Sequence, residues 1–213
     1  MLKALLPRGV VVRSLPRQAR NAVLLTFDDG PDPDVTPAVL DRLRLHGARA
    51  VFFVVGRRIK RAPALIARIL QEGHVVGNHS HLHQASYVLP GGRQPRFLHY
   101  YGDCRRCQTA IQHHGGKRPR LFRPPGGRLT LKTLMIPKLL GMKCVTWSAD
   151  VGDWSFRSAA EARAGAEELA RTVAPTDIVL LHDDNPCVID LLDALLPALR
   201  ARGLDLASGV ELI

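Results

Sequence analysis

Short apolar runs alternate with helix-patterned stretches along the whole chain, and this constrains the fold more than any composition figure. Strands are expected at Val23–Phe27, Ala50–Val55, Val75–Gly77, Arg120–Phe122, Lys143–Ser148, Ile178–Leu181 and Leu204–Ala207. Helices are expected around Pro37–Leu45, Pro63–Gln71, Asp103–His113, Leu131–Leu140, Ala159–Thr172 and Ile189–Arg200. Gly47, Gly73, Gly115, Gly141 and Gly203 each follow a helical pattern, where glycine often ends a helix. Repeated β–α alternation calls for a parallel sheet, and about seven units suit a barrel better than a short open sheet. An open doubly wound sheet is the alternative. Its dinucleotide-binding version is set aside, because no G-x-G-x-x-G follows the first strand.

With 213 residues, 46% of them hydrophobic, the chain can bury one substantial core. No linker, low-complexity tract or internal repeat divides it. The expected organisation is a basic N-terminal arm over residues 1–20 and a single catalytic domain over residues 21–213.

The formal net charge is +11, with 30 Lys and Arg against 19 Asp and Glu. Lys3, Arg8, Arg13, Arg17 and Arg20 crowd the start, and a second basic stretch runs from Arg105 to Arg128. Such a balance suits polyanions, an acidic membrane surface or a surface simply solvated by arginine. Aromatic residues make up only 5% and form no ladder among the basic ones, which argues against dedicated nucleic-acid binding.

Cys104 and Cys107 have C-x-x-C spacing, but no second pair supplies the other half of a zinc site. Free thiols are expected at these positions and at Cys144 and Cys187. No apolar stretch approaches the roughly 20 residues of a membrane span, and Pro7 and Arg8 interrupt the only signal-like segment. The expectation is a cytoplasmic enzyme resting against an anionic membrane through its arm, unless an export segment is absent from the chain. Each arm charge would add about 1 kcal/mol near an anionic leaflet.

Chemically capable residues fall just after the expected strands, on the face where parallel β/α folds build active sites. Asp28 and Asp29 end the first apolar run, and two adjacent carboxylates there call for a cation. His79 and His83 are four apart, so that a helical turn would put them on one face and His81 elsewhere. Two imidazoles and a carboxylate make a three-ligand open site for a divalent metal, against the plain alternative of a His-rich surface loop. Ser80 excludes a zinc peptidase of the H-E-x-x-H form, and β–α alternation does not suit the usual scaffold of iron oxygenases. Metal-assisted hydrolysis remains, with Asp28 as a ready base. Arg123, at a rigid Pro-Pro turn, can pair with a carboxylate. His182, with Asp153 one strand earlier, has the makings of an oriented general acid.

Five motifs occur in order from Thr26 to His182: T-F-D-D-G-P, H-S-x-x-H, R-P-P-x-G, D-x-x-D-W and L-x-H. Together they resemble the polysaccharide deacetylase family, which includes chitin, peptidoglycan N-acetylglucosamine and chitooligosaccharide deacetylases. The resemblance implies an α/β fold, a distorted, incomplete (β/α) barrel of about seven parallel strands. It implies a general base at Asp28, metal ligands at Asp29, His79 and His83, and a general acid at His182. Arg123 would hold Asp28, Asp153 would orient His182, and Trp154 and Leu180 would wall the pocket for the acetyl methyl. The implied cofactor is a divalent metal, zinc first, with cobalt, nickel or manganese as substitutes.

Where the family commonly has tyrosine after the two prolines, this chain has Gly126. An oxyanion donor there is a backbone N–H, so the chemistry survives while the side chain that narrows the groove is missing. The expected function is a metal-dependent deacetylase of N-acetylated amino sugars in a polysaccharide or oligosaccharide. Alternatives are a related hydrolase of O-acetyl esters or cyclic imides, or an inactive glycan- or polyanion-binding module.

Overall fold

The computed structural model describes residues 11–83 and 96–213. Seven strands form one parallel sheet: β1 (Val11–Val12), β2 (Leu24–Asp28), β3 (Ala50–Val54), β4 (Val75–Asn78), β5 (Leu121–Phe122), β6 (Lys143–Val145) and β7 (Ile178–His182). Their spatial order is β1-β6-β5-β4-β3-β2-β7, every pairing parallel. The sheet curls until Ala149, just past β6, bridges Val179 of β7 in place of a closing strand. This is the distorted, incomplete barrel expected from sequence.

Helices α1 (Val35–Leu45), α2 (Gly56–Ile59), α3 (Ala64–Gln71), α4 (Phe97–Gly115), α5 (Leu131–Leu139), α6 (Ala159–Thr172) and α7 (Cys187–Ala201) make the crossovers. Successive strand side chains point to opposite faces. In β2, Leu25 and Phe27 join the core beneath the helices with Phe52 of β3 and Leu181 of β7. Leu24, Val51, Phe53 and Ile178 fill the barrel interior instead. Both faces are buried, which is why these strands read as continuous apolar runs.

Two strand assignments change. Val11–Val12, inside the segment assigned to the arm, pairs with Cys144 and Val145, and Leu15 and Ala19 are buried. Residues 11–20 are therefore part of the barrel, because their apolar side chains fill its open end. Lys3 and Arg8 lie outside the described residues. Conversely, Leu204–Ala207 is not a strand. Asp205 only bridges Ala22, and its carboxylate accepts the Ala207 and Ser208 N–H groups, drawing the backbone into a turn.

Helix α4 starts at Phe97, earlier than expected, and buries Cys104 and Cys107 as free thiols. No described helix is long and apolar enough to cross a membrane.

Candidate active site

The inward positions of β2 and β7 carry two of the candidate site residues. In register, Leu24 lies beside Ile178, Thr26 beside Leu180 and Asp28 beside His182. Asp28 and His182 thus open side by side into a cavity of about 410 Å³ at the carboxyl end of the barrel. Asp29, His79, His83 and Asp153 line the same cavity, as do Gly126, Trp154 and Leu180. Arg123 does not line it. It lies fully buried underneath.

Asp29 adopts φ 78°, a left-handed conformation uncommon outside glycine, and the two carboxylates each come within 3.6 Å of His79 Nε2. Asp28 Oδ1 accepts a 2.7 Å hydrogen bond from Arg123 Nη1, which also donates to Thr26 Oγ1. Arg123 Nη2 donates to the Thr146 carbonyl, and its guanidinium sits 4.2 Å from the Phe53 ring centroid. An arginine held at so many points cannot follow Asp28 outward. It fixes the carboxylate.

His79 and His83 meet by a route other than the helical turn expected. The segment after β4 is a loop in which Ser80 and His83 have φ of 64° and 52°. Asn78 Oδ1 accepts the Ser80 N–H, Ser80 Oγ accepts the His83 N–H, and Asp103 from α4 accepts the His81 and Leu82 N–H groups. These bonds bring the two imidazoles to 5.0 Å between centroids.

One ligand atom from each of Asp29, His79 and His83 lies within 4.8 Å of the others. Asp29 Oδ1 is 2.9 Å from His83 Nε2 and 3.6 Å from His79 Nε2. It is buried, yet makes no aligned hydrogen bond with either. His79 Nδ1 lies 2.8 Å from the Arg123 carbonyl, an acceptor that requires the proton on Nδ1 and leaves the Nε2 lone pair facing Asp29. Burial pushes the His79 pKa down, which also keeps the ring neutral. Burial pushes Asp29 up, but the His83 and His79 imidazoles outweigh it and hold the carboxyl below the usual carboxylate range. Lone pairs converging on an unsatisfied buried oxygen fit a divalent cation with two nitrogen ligands, one oxygen ligand and open positions.

Across the cavity, Asp153 clamps His182 twice. Oδ1 lies 2.8 Å from His182 Nδ1, and Oδ2 accepts the His182 backbone N–H at 2.8 Å. Burial lowers the His182 pKa, but the Asp153 hydrogen bond and the surrounding carboxylates outweigh it and raise it to about 9. Nδ1 is thereby engaged, and Nε2 is the ring nitrogen left for a substrate. Trp154 is 63% exposed, as the rim of an open pocket would be, while Leu180 is buried in its wall. Gly126 has φ 65° and presents only backbone.

The polysaccharide deacetylase family model matches residues 16–145. The chain belongs to the polysaccharide deacetylase family. A peptidoglycan-N-acetylglucosamine deacetylase of Bacillus cereus is 34% identical over 230 residues, covering 99% of this chain and 96% of its own. A peptidoglycan-N-acetylglucosamine deacetylase of Listeria monocytogenes is also 34% identical over 99% of this chain, which spans only 43% of that protein's length. Among solved structures, the Bc1960 peptidoglycan N-acetylglucosamine deacetylase superposes with a TM-score of 0.79 at 28% identity, covering 92% of this chain and 89% of its own.

In this member of the polysaccharide deacetylase family, three supporting residues escaped the sequence reading. Thr26, inside an apolar strand, is a polar anchor for Arg123. Asp103 looks like any helical aspartate but ties down the histidine loop. Asp183 is 1% exposed; its Oδ1 accepts the Gly30 N–H and its Oδ2 the Thr36 hydroxyl. It braces the turn that carries Asp29. The only hint was its place beside His182.

Proposed function

We propose that this chain is a divalent-metal-dependent deacetylase of N-acetylglucosamine-containing glycans, releasing acetate and a free amino sugar. The observation carrying the reading is that Asp28, His182 and the Asp29, His79, His83 cluster face one cavity with a buried, unsatisfied Asp29 oxygen at its base. The substrate class is that of the named relatives in Bacillus cereus and Listeria monocytogenes.

Asp29, His79 and His83 would hold the cation. When bound, it supplies Lewis acidity toward the acetamide carbonyl and acidifies a water; zinc suits the donor set, with cobalt, nickel or manganese as substitutes. Asp28 is the base: with Oδ1 taken by Arg123, the Oδ2 on the His79 side receives the proton of the attacking water. His182 protonates the departing amine from Nε2 while Asp153 holds Nδ1. The Gly126 backbone N–H helps stabilise the oxyanion. Leu180 and Trp154 enclose the acetyl methyl.

Acetate release from N-acetylglucosamine oligomers, measured before and after chelation and metal add-back, tests the reading. Turnover unaffected by chelator would refute it. Gly126 favours a second reading, because it leaves the groove unnarrowed and admits other acyl groups. A panel of N-acetylated oligosaccharides, acetylated xylan and small cyclic imides separates the two, and activity on esters or imides alone would select the second.

A further inference from the structure

A second cleft, of about 670 Å³, lies between α2 and α4, and none of its lining residues lines the cavity that holds Asp28. Lys60, His81, Arg105, Arg106, His113 and His114 line it, with Ile59 and Ala110 among the apolar side chains, and among the described residues no carboxylate does. The neighbouring Asp103 is buried, with both oxygens committed to the histidine loop.

Several surface arginines have acidic partners, among them Arg42 with Asp193, Arg49 with Glu211, Arg58 with Asp184 and Arg68 with Asp41, while others such as Arg57 and Arg61 form no ion pair among the described residues. Lys60, Arg105 and Arg106 form no ion pair among the described residues. Gly56 and His81 also line the cleft. The His81 ring rests on Gly56, where a Cβ would come within 2.5 Å of Nδ1. That Nδ1 is buried and has no hydrogen-bond partner.

We propose that this cleft binds a phosphate-bearing ligand. Three unpaired permanent cations and several imidazole nitrogens suit a group with up to two charges and three or more acceptor oxygens better than a single carboxylate. The apolar residues would meet the organic part of the ligand. The cleft is concave, so a phosphate carried by a soluble molecule enters it more readily than a flat bilayer can approach.

The test is an amide-resolved NMR titration of the full chain with inorganic phosphate. Shifts are expected at Gly102, Arg105, Arg106 and Thr109, weakening as salt is raised. Affinity should fall about tenfold in the Arg105→Gln/Arg106→Gln double variant, with Lys60→Gln as an independent single change and thermal melting as the check on folding. In a second arm, vesicles of phosphatidylglycerol and of phosphatidylcholine are compared by co-sedimentation. Sedimentation with phosphatidylglycerol alone, lost in the double variant, would assign the phosphate to a lipid headgroup; shifts with inorganic phosphate and no sedimentation would assign it to a soluble ligand. The proposal is overturned if neither probe binds, if the shifts centre on His79 and His83, or if the double variant responds like the parent. No readout depends on turnover, so its failure is distinguishable from failure of the deacetylase reading.

Discussion

Asp28 and His182 are register partners on adjacent parallel strands, with Thr26 and Leu180 paired two residues earlier on the same inward face. Neighbouring strands lie about 4.8 Å apart, so the proposed base and acid are set by the sheet itself rather than by a loop. Each has its own clamp behind it, Arg123 for Asp28 and Asp153 for His182. The proposed acid and base are therefore positioned by paired strands, each with a buried clamp.

Asp28→Asn should lower acetate release by about 10²–10⁴-fold while leaving metal stoichiometry unchanged, since a general base typically contributes that much. His79→Ala should lose both turnover and metal. Elemental analysis alongside the acetate assay checks the pair, and Asp28→Asn activity within a few-fold of the parent would contradict the assignment.

His182 must be protonated to act as an acid, and its pKa is raised to about 9. Activity should hold through neutral pH and fall as pH rises past that value. Asp153→Asn removes the charge and one of the two acceptor oxygens that oppose the effect of burial, so the alkaline limb of kcat/KM should move to lower pH. An unmoved limb would separate Asp153 from the acid.

Asp183→Ala leaves the buried Gly30 N–H and Thr36 hydroxyl without their acceptor, costing about 1–3 kcal/mol for an unsatisfied buried group. Because Gly30 follows Asp29, metal affinity should weaken although no ligand is altered. Asp183→Asn keeps an acceptor and should be milder. Urea unfolding and metal titration of both variants test this, and unchanged metal affinity in Asp183→Ala would reduce Asp183 to a structural residue.

His74 is buried against the Phe52 ring, and its Nδ1 accepts the Ala50 N–H. Burial lowers its pKa from 6.5 to about 4, so the folded chain needs the ring neutral. Between those values the unfolded chain binds more protons, and stability must fall as pH drops through that window. The loss between pH 7 and pH 5 should be about 2 kcal/mol, and a His74→Gln variant should lack this component. Urea midpoints at the two pH values measure it; parallel behaviour of parent and variant would refute it.

Much of the site was legible because parallel β/α folds gather strand ends on one face. Reactive residues after β2, β4, β6 and β7 had to meet, whatever the details of the crossovers. The apolar runs marked the strands because both sheet faces are buried, so periodicity and position sufficed for Asp28, Asp29, His79 and His182. Spacing failed at His79 and His83: four residues apart suggested a helical turn, whereas a loop pinned from α4 by Asp103 brings the rings together. It failed again at Val11–Val12 and Leu204–Ala207, where strand identity depends on a free edge and a competing turn rather than on hydrophobicity. Thr26, Asp103 and Asp183 were invisible for one reason. Their roles are hydrogen bonds to residues 21 to 153 positions away, and a polar side chain carries no mark in the sequence of which distant group it will meet. Order along the chain determined which chemistry was available and on which end of the barrel; only the folded sheet decided which groups hold the others still, because that depends on register and burial.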